Sequence, residues 1–581
     1  MKLTDAIKIM NQGPADGIPF PVTLACGFSP LHVQTFLAAQ LQKTLPERKI
    51  RVQTGLYGNL AGTIEGMIPP ESQAAAIVLE WPDLDPRLGY RQTGGWGPSD
   101  LADILVHSER MLQRLEAAIQ RIPSSIKVAL CLPTLALPPV FFTPGWQASE
   151  AEMRLCRGLL VFAANIASLP NAAIVSRQQL DEVSDPATRF DLKSELFIGI
   201  PYTLSHSYQV AAALGRLIQP FAPKKGLITD LDDTLWKGIV GEIGPDRVAW
   251  DLDSHNQIHG LYQQILRALA EQGVLVAIAS KNDPGVVAKA LERQDILISS
   301  DKMFPVEVHW NAKSGSVERI LSAWNIGADS VVFVDDSPME LAEVKATHPG
   351  MECLLFPKSD YATAAKFLRQ LRDLFGKSKV TAEDAIRLDS IRQSAALQQM
   401  VEEGGSPPEA FLAEMKARIT LDFQGAGADP RVLELVNKTN QFNLNGRRYT
   451  ESDWSRNLDD PNNFVVSVAY DDKFGPLGKI AVLRGKRIDR VLHIAAWVMS
   501  CRAFARRIEF QCLRVLFEHF DAEAISFDFI PTPKNGPVQE FFAGLSDEKP
   551  VTAVRLDRKT FDSRRPALHH TVTTNLEPIA I

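Results

Sequence analysis

Short apolar runs that alternate with helical patterns are the feature that most limits what this chain can fold into. Four such runs precede residue 177, and they read PVTLACGF, AAAIVLEW, KVALCLP and NAAIVS. Residues 99–122, between the second run and the third, have the apolar spacing of an amphipathic helix. Strands that alternate with helices are typical of α/β domains with a mainly parallel sheet. We therefore predict an α/β domain over residues 1–223.

Two further domains are predicted after the first. Residues 224–375 continue the alternation with the apolar runs LITDL, VLVAIAS and VVFVDD, which predict a second, Rossmann-like α/β domain. Residues 376–430 carry a helical pattern closed by the breaker cluster GGSPP, which predicts a connecting helix and linker. In residues 431–581, FVVSVAYDD and GKIAVLRG flank a Gly/Pro turn as antiparallel strands do, and we predict an α+β domain. A chain of 581 residues is long enough for three domains.

Charge and cysteine usage exclude several classes of protein. A net charge of -7 with no basic tract argues against a general nucleic-acid binder. The six cysteines are too sparse and too irregularly spaced for a disulfide framework or a CxxC metal site, so we expect reduced thiols in a cytoplasmic protein. The first residues, MKLTDAIKIMNQG, lack the apolar core of a signal peptide, and prolines interrupt the apolar stretch 128–146. We expect neither export nor a membrane span.

Three carboxylates crowd into four positions of the segment LITDLDDTLW, residues 227–236. If LIT is a buried parallel strand, Asp230 lies where it ends, which is where open α/β sheets place their ligand crevice. Asp335 and Asp336 end another predicted strand, VVFVDD. Crowded carboxylates repel one another unless a cation is present, so the two strand ends predict one site for a hard metal such as Mg²⁺. Helix caps and turns also use aspartate at strand ends, and for either cluster alone that structural role explains the residues equally well.

The order of polar residues along the chain favours the metal site. The residues that follow the predicted strands are, in sequence, Asp230, Asp232, Thr234, Ser280, Lys313, Asp335 and Asp336. This order resembles the four motifs of the haloacid dehalogenase superfamily. Only 50 residues separate Asp230 from Ser280, and 33 separate Ser280 from Lys313, which leaves little room for a separate lid domain. We expect an open site that admits a group presented by another protein as well as a free metabolite.

The resemblance implies a role for each of these residues. Asp230 would attack a phosphoryl group to form an aspartyl-phosphate, and Asp232 would protonate the leaving oxygen and later activate water. The phosphate-binding residues that it implies are Thr234, Ser280, Lys281 and Lys313. The ligands that it implies for Mg²⁺ are Asp230, Asp232, Asp335 and Asp336. A carboxylate nucleophile splits phosphoryl transfer into two steps, and a divalent cation offsets the repulsion between the two anions that must meet.

Six segments spread along the chain carry a closer resemblance: DLDDTLWKGIVGEIG, IASKND, FVDDSPMELAEVK, NKTNQFNLNGRRYT, WVMSCR and PTPKNGPVQEFF. They are similar to the FkbH-like proteins of polyketide and related biosynthesis. The resemblance implies that the chain takes the phosphorylated three-carbon substrate 1,3-bisphosphoglycerate, removes phosphate and loads a glyceryl unit as a thioester onto a phosphopantetheinylated acyl carrier protein. It also implies an SGNH-hydrolase-like first domain, a haloacid dehalogenase-like second domain and a GNAT-like third domain.

Cys501, in the segment WVMSCRAFARR, is the candidate carrier of the acyl group. It lies at a predicted strand-to-helix junction near Arg502, Arg506 and Arg507, and a helix N-terminus with nearby guanidinium groups lowers a thiol pKa. A buried structural cysteine is the alternative. Ala505 and Arg507 stand where related GNAT-type loops commonly have glycine, so the resemblance favours carrier-bound pantetheine over acetyl-CoA as the partner.

The first domain and a strand histidine offer weaker candidates. Ser29, Gly58 and Asn59 lie in turns where an SGNH-type fold has its nucleophile and oxyanion donors, and His206 could complete the set. No aspartate stands three residues before His206, where that fold usually has its partner. We therefore favour a docking or scaffold role for this domain. His493 in VLHIAAW could serve as a base, but a lone histidine on a strand is more often structural.

Three functions stay open at this point. The first is a Mg²⁺-dependent phosphatase and glyceryltransferase that feeds an acyl carrier protein. The second is a small-molecule phosphatase with non-catalytic flanking domains, and the third is a non-catalytic scaffold that docks the carrier protein. The intact acidic set argues against the scaffold, and the WVMSCR and NQFN segments argue against the plain phosphatase.

Overall fold

A computed structural model describes most of the chain. The described residues are 1–66, 68–140, 143–377, 380, 384, 386–392, 409–423, 427, 429–456, 460, 462–473, 475–500, 503–504, 506–546 and 553–575. The chain divides into two compact units, Met1–Phe221 with Thr450–Asp453, and Ala222–Tyr449 with Trp454–Ile581. No described helix combines the length and the apolar character that crossing a membrane requires.

The first unit contains a parallel sheet that is covered on both faces. Among its described residues, five strands pair in the order β2-β1-β3-β4-β5, with the bounds β1 Ile18–Cys26, β2 Arg48–Thr54, β3 Ala74–Val78, β4 Lys127–Cys131 and β5 Ala172–Ile174. Ala75 and Ile77 of β3 pack into one hydrophobic core, whereas Ala76 and Val78 pack into another. A strand buried on both faces reads as a continuous apolar run, which explains the segment AAAIV.

Helices connect these strands. Their bounds are α1 Leu3–Asn11, α2 Leu31–Thr44, α3 Leu60–Gly66, α4 Trp81–Leu84, α5 Leu101–Gln120, α6 Glu150–Ala167, α7 Arg177–Val183, α8 Leu192–Ile198 and α9 Leu204–Ile218. Helix α5 covers most of the amphipathic pattern predicted over residues 99–122, so that prediction is confirmed.

The second unit begins with another parallel sheet. Its described strands pair in the order β10-β9-β6-β7-β8, with the bounds β6 Gly226–Thr229, β7 Leu275–Ser280, β8 Met303–Val308, β9 Val331–Asp335 and β10 Glu352–Leu355. The associated helices are α10 Val240–Ile243, α11 Gln257–Glu271, α12 Pro284–Leu291, α13 Lys313–Trp324, α14 Pro338–Thr347 and α15 Tyr361–Phe375. Strand β6 lies at the centre, and its residues are all buried.

A mixed sheet follows in the same unit. Its strands are β11 Arg418–Asp422, β12 Phe442–Asn443, β13 Asn463–Asp472, β14 Gly475–Ile488, β15 Val491–Met499, β16 Ala524–Phe527, β17 Val554–Asp557 and β18 Thr571–Thr574. They run in the order β17-β16-β15-β14-β13-β11-β18, with β12 paired to β15. The described helices here are α16 Glu409–Glu414, α17 Pro430–Lys438, α18 Glu451–Arg456, α19 Ile508–His519, α20 Gly536–Ser546 and α21 Arg558–Arg564.

The predicted α/β class is confirmed by the two parallel sheets, and the predicted antiparallel pair is confirmed by β13 and β14. Helix α16 and strand β11 lie within residues 376–430, where the sequence predicts a linker. Strand β11 pairs with β13 and β18, so its partners lie about 50 and 150 residues away, where no local pattern reveals them. The five cysteines in the described residues form no disulfide.

Candidate functional site

Two acidic residues lie at neighbouring strand ends of the second parallel sheet. Asp230 directly follows β6, and Asp335 is the last residue of β9, which pairs with β6 in parallel. The chain forms β7 and β8 on one side of β6 and then crosses to β9 on the other side. Such a reversal of strand order opens a crevice at the carboxyl ends of the strands. The sheet therefore brings together two residues that are far apart in sequence.

Lys313, the first residue of α13, connects the two aspartates. Its Nζ lies 2.9 Å from Asp230 Oδ1 and 2.6 Å from Asp335 Oδ2, and all three side chains are buried. Burial raises the pKa of Asp230 to about 7 although Lys313 opposes the shift, and burial likewise raises the pKa of Asp335. Burial alone would lower the pKa of Lys313, but attraction to the two carboxylates outweighs it and the pKa is raised.

Asp336 adds a third carboxylate to this cluster. One oxygen atom from each of Asp230, Asp335 and Asp336 lies within 4.8 Å of the other two. Carboxylate oxygens are the hard ligands that Mg²⁺ takes in proteins, usually with several waters. Two of these carboxylates are buried, where unpaired negative charge is costly, so a divalent cation fits the donor set. These three residues could hold the ion.

Asp232 has other partners. Its Oδ1 accepts hydrogen bonds from Trp236 Nε1 at 2.9 Å and from the backbone nitrogen of Val240 at 3.1 Å, and its Oδ2 accepts one from Asn282 Nδ2 at 3.0 Å. Its carboxylate does not belong to the group of three that could hold a metal. Three donors thus hold its oxygens, and the ligation of Mg²⁺ by Asp232 stays a prediction.

Ser280 and Asn282 lie beside Asp232. Ser280 is the last residue of β7 and is buried, and Asn282 Nδ2 donates to its Oγ at 3.2 Å. The same amide nitrogen reaches Asp232, so Asn282 links the two residues. Sequence reasoning missed Asn282, although it stands two residues after a strand end in the segment IASKND, and that position is the signal that could have found it.

Two predicted phosphate-binding residues have contacts that the sequence does not reveal. Thr234 is completely buried, His259 Nδ1 lies 2.9 Å from its backbone oxygen, and its Oγ1 has no hydrogen-bond partner in the described part of the chain. Lys281 Nζ donates to Glu340 Oε1 at 2.7 Å. The phosphate-binding roles of Thr234 and Lys281 stay predictions.

A cluster of two lysines and two aspartates adjoins the buried carboxylates, and we call it the rim cluster: Asp233, Lys237, Asp336 and Lys358. Asp233 adopts a left-handed backbone conformation with φ +51, and its Oδ1 lies 2.8 Å from Lys237 Nζ. Lys358 Nζ donates to Asp336 Oδ2 and lies 3.5 Å from Asp233 Oδ2. Lys358 lies after β10 and belongs to none of the motifs in the sequence, so no sequence pattern could have identified it.

The first unit holds His206 in a different environment. Its Nε2 lies 2.8 Å from Thr134 Oγ1, and its Nδ1 lies 2.9 Å from Ser184 Oγ. Burial lowers the pKa of His206 to about 3. Both ring nitrogens of the buried imidazole thus face the hydroxyl groups of Thr134 and Ser184 rather than Ser29, the possible partner that the sequence suggests. The docking or scaffold role of this domain stays a prediction.

Three residues of the predicted acyl site lie outside the described residues: Cys501, Arg502 and Ala505. Of the nearby arginines, Arg506 is buried with its Nε 3.7 Å from Asp472 Oδ2, and Arg507 Nη1 lies 2.7 Å from Glu409 Oε1. His493 is exposed on β15. The role of Cys501 stays a prediction.

Asparagines join two of the segments that carry the family resemblance. Asn535, from PTPKNGPVQEFF, donates through Nδ2 to the backbone oxygen of Asn443 at 3.0 Å. Asn445, from the segment that contains NQFN, donates to the backbone oxygens of Ala495 at 2.9 Å and Asp528 at 3.0 Å. All three asparagines are buried. The mixed sheet thus fixes these segments against each other through amide side chains.

No protein-family model and no curated protein matches this chain. Among solved structures, it is similar to the N-terminal part of the protein BF1531 from Bacteroides fragilis, which contains a phosphatase domain complexed with Mg. The sequence identity is 19% and the TM-score is 0.49, and the similarity covers 65% of this chain and 100% of that chain. An uncharacterized protein from Corynebacterium glutamicum is 16% identical over 26% of this chain and 98% of that chain, with a TM-score of 0.19. Similarity at this level establishes neither a family nor a function for the chain.

Proposed function

We propose that this chain is a Mg²⁺-dependent phosphatase that uses Asp230 as its nucleophile. The observation that carries the proposal is the cluster of Asp230, Asp335 and Lys313, buried at the switch point of a parallel sheet. Two buried acids that share one ammonium group lower the stability of a fold, because their desolvation is incompletely compensated. Such an arrangement therefore indicates a functional role. Strongly shifted pKa values in a crevice are typical of reactive groups.

The reaction follows from the chemistry of these groups. A carboxylate oxygen of Asp230 attacks phosphorus, the bond to the leaving oxygen breaks, and that oxygen takes the electron pair and a proton from Asp232. Water then attacks the aspartyl-phosphate and gives its proton to Asp232, and the bond from phosphorus to Asp230 breaks. The hydrogen bonds from Trp236, Val240 and Asn282 support this role for Asp232, because they hold its carboxylate in one orientation.

Lys313 and the metal stabilise charge in this scheme. Lys313 is buried beside the nucleophile, where its ammonium group can bind a phosphoryl oxygen and hold it for attack. Asp230, Asp335 and Asp336 would hold Mg²⁺, which when bound would supply Lewis-acid neutralisation of the phosphoryl charge. Ser280 is a further candidate hydrogen-bond donor to the phosphoryl group.

Substitution of the nucleophile tests the phosphatase. Asp230→Asn should lower Mg²⁺-dependent phosphate release from p-nitrophenyl phosphate by about a thousandfold or more, since the covalent route is lost. The near-isosteric amide should leave the thermal unfolding midpoint close to that of the wild type. Asp301→Asn is the matched control, because Asp301 is exposed just before β8, at the opposite edge of the same sheet. Full activity of Asp230→Asn, or of the wild type in excess EDTA, would contradict the proposal.

We further propose that the phosphatase serves a loading reaction. The substrate would be 1,3-bisphosphoglycerate, and the acceptor would be the thiol of a phosphopantetheinylated acyl carrier protein. The sulfur of Cys501 attacks the acyl carbon, the carbon–oxygen bond to phosphate breaks, phosphate leaves with the electron pair, and the thiol proton passes to solvent. The carrier thiol then attacks this thioester, the bond from the acyl carbon to the Cys501 sulfur breaks, and Cys501 takes up the proton that the carrier thiol loses. The Asp230 site removes the other phosphate of 1,3-bisphosphoglycerate before this transfer, while the acyl phosphate is still in place. The motif segments around Asn443 and Asn535 support this proposal, because they carry the family resemblance and a buried hydrogen bond joins them.

Cys501 is the proposed acyl carrier between substrate and acceptor. Without carrier protein, 1,3-bisphosphoglycerate and Mg²⁺ should add one glyceryl or phosphoglyceryl group that hydroxylamine removes, as intact-protein mass spectrometry measures. Cys501→Ser should lose both this adduct and carrier loading but keep phosphate release at the Asp230 site. Carrier loading at the wild-type rate by Cys501→Ser would show direct transfer to the carrier thiol instead. If no carrier becomes loaded while phosphate release persists, the plain phosphatase is the correct function.

A further inference from the structure

The rim cluster places two ammonium groups beside the proposed metal site. Lys237 and Lys358 share Asp233: Lys237 Nζ lies 2.8 Å from one carboxylate oxygen, and Lys358 Nζ lies 3.5 Å from the other. Lys358 also contacts Asp336, the third carboxylate of the proposed metal site. The four side chains are neutral as a set. If Asp336 also shares its charge with a divalent cation, the two lysines keep only Asp233 as a full counter-charge.

The position of Lys358 puts this excess charge beside the reacting groups. Lys358 follows β10, the neighbour of β9, so it lies at the same carboxyl edge of the sheet as Asp230 and Asp335. Its partner Asp336 has an oxygen within 4.8 Å of ligand oxygens of both buried aspartates. The Lys358 side chain keeps 40% of its surface exposed and Lys237 keeps 44%, so the fold encloses neither side chain.

The partners of the four lysines near the site indicate that Lys237 and Lys358 are the ones available to the substrate. Lys313 is enclosed by Asp230 and Asp335, and it is the ammonium group available to the phosphoryl group that is transferred. Lys281 is engaged by Glu340. Lys358 and Lys237 are exposed, and Asp233 holds them in place as a shared anchor. An exposed ammonium group that contacts two carboxylates can still donate to a further anion, because it carries three N–H donors.

We propose that Lys358, assisted by Lys237, is a specificity-determining residue that binds a second anionic group on the part of the substrate that leaves. The substrate class is then a small phosphorylated compound that carries a carboxylate or a second phosphate. This inference rests on the proposed phosphatase function. It adds that an otherwise equal monophosphate without the second anion is a poor substrate.

Two pairs of compounds test this selectivity directly. 3-Phosphoglycerate and glycerol 3-phosphate have the same number of carbons and one phosphate each, and they differ by a carboxylate in place of a hydroxymethyl group. 2,3-Bisphosphoglycerate against 3-phosphoglycerate then tests whether a second phosphate adds to recognition when the carboxylate is already present. For the wild type with Mg²⁺, kcat/KM should be about tenfold higher for 3-phosphoglycerate than for glycerol 3-phosphate, as one charged hydrogen bond supports.

Lys358→Met should bring that ratio close to one, mainly through a higher KM for 3-phosphoglycerate. Lys358→Arg should restore most of the ratio. Lys302→Met is the matched control and should leave the ratio unchanged, since Lys302 is 49% exposed just before β8, at the opposite edge of the sheet. Because Lys358 also contacts Asp336, a loss of rate common to both compounds reports on the metal site, whereas the ratio reports on recognition of the second anion.

The outcomes separate this inference from the phosphatase itself. A wild-type ratio near one, or a ratio that Lys358→Met leaves unchanged, would overturn the inference while the phosphatase stands. If p-nitrophenyl phosphate is hydrolysed and none of the three-carbon compounds is, the inference is likewise overturned while the phosphatase stands. If none of these compounds is hydrolysed in a Mg²⁺-dependent way, both proposals fail together.

Discussion

The two parallel sheets of this protein both carry a buried acid at the carboxyl edge, but they surround it differently. Glu80 follows β3 by two residues and accepts hydrogen bonds from Tyr202 Oη at 2.6 Å and from Thr134, through Oγ1 at 2.7 Å and the backbone nitrogen at 2.8 Å. Asp230 directly follows β6 and lies 2.9 Å from the ammonium group of Lys313. One acid faces neutral donors, and the other faces a cation.

This difference teaches that burial of an acid does not by itself indicate a reactive site. Burial is the main cause that raises the pKa of Glu80, as it is for Asp230. Around Glu80, however, neutral hydroxyl and amide groups satisfy the carboxyl group, and the adjoining His206 is also enclosed by hydroxyl groups. Around Asp230, a cation and further carboxylates are assembled, which is what phosphoryl transfer needs. The first arrangement satisfies a buried acid with neutral donors, and the second is the one on which the proposed phosphatase rests.

Replacement of Lys313, the cation beside Asp230, should have the largest effect on the difference between the two sheets. Lys313→Met should lower phosphate release by about a hundredfold or more, since a charged group beside the reacting oxygens is lost. The same change should tighten Mg²⁺ binding, because repulsion between the ion and an ammonium group disappears. Steady-state assays and calorimetric Mg²⁺ titration measure the two effects. Weaker Mg²⁺ binding together with unchanged phosphate release would show that Lys313 has only a structural role.

Substitution of the acid in the first sheet should have the opposite signature. Glu80→Gln replaces an acceptor oxygen by an amide that can only donate, so some of its donors lose their partner, at a cost of about 1–3 kcal/mol. Hydrogen exchange of peptides over β3 and β4 should become faster, while phosphate release from p-nitrophenyl phosphate stays at the wild-type rate. Glu71→Gln, at an exposed position just before β3, is the control. A strong loss of phosphatase activity in Glu80→Gln would mean that the first sheet contributes to the chemistry.

A smaller, pH-dependent effect should sharpen the comparison. The pKa of His206 is about 3 in the fold, chiefly because of burial, and lies near 6.5 when unfolded, so the unfolded state binds more protons between these values. The contribution of neutral His206 to the free energy of unfolding is therefore fully present above about pH 6.5 and decreases as the pH falls. At pH 5 about 2 kcal/mol of it is lost. Hydrogen exchange over β4 and α9, corrected for intrinsic rates, should show this loss. His206→Gln should flatten the dependence, whereas an unchanged slope would assign it to other groups.

Particular residues show how far the sequence carried the fold and the site. The apolar runs identified β3, β6, β7 and β9, because strands buried on both faces leave a continuous signal. The position of Asp230 and Asp335 at strand ends was predictable for the same reason. Asn282 and Lys358 were missed, because an asparagine or a lysine in a loop has many uses and only its neighbours in space select one. The surroundings of His206, between the hydroxyl groups of Thr134 and Ser184, were not predictable, since sequence order says nothing about which hydroxyl groups surround an imidazole.

By itself, the sequence determined the parallel-sheet architecture, the antiparallel pair in the mixed sheet and the order in which acidic and basic residues follow the strands. Local hydrophobic patterns and strand ends are properties of short segments, so they can be read without the fold. Only the tertiary structure decided that Lys313 lies between Asp230 and Asp335, that Asp232 is held by Asn282, and that Lys358 adjoins Asp336. These contacts join residues that are 22 to 83 positions apart in the sequence. Distance and burial, which set the pKa and so the charge of each group, exist only once the chain has folded.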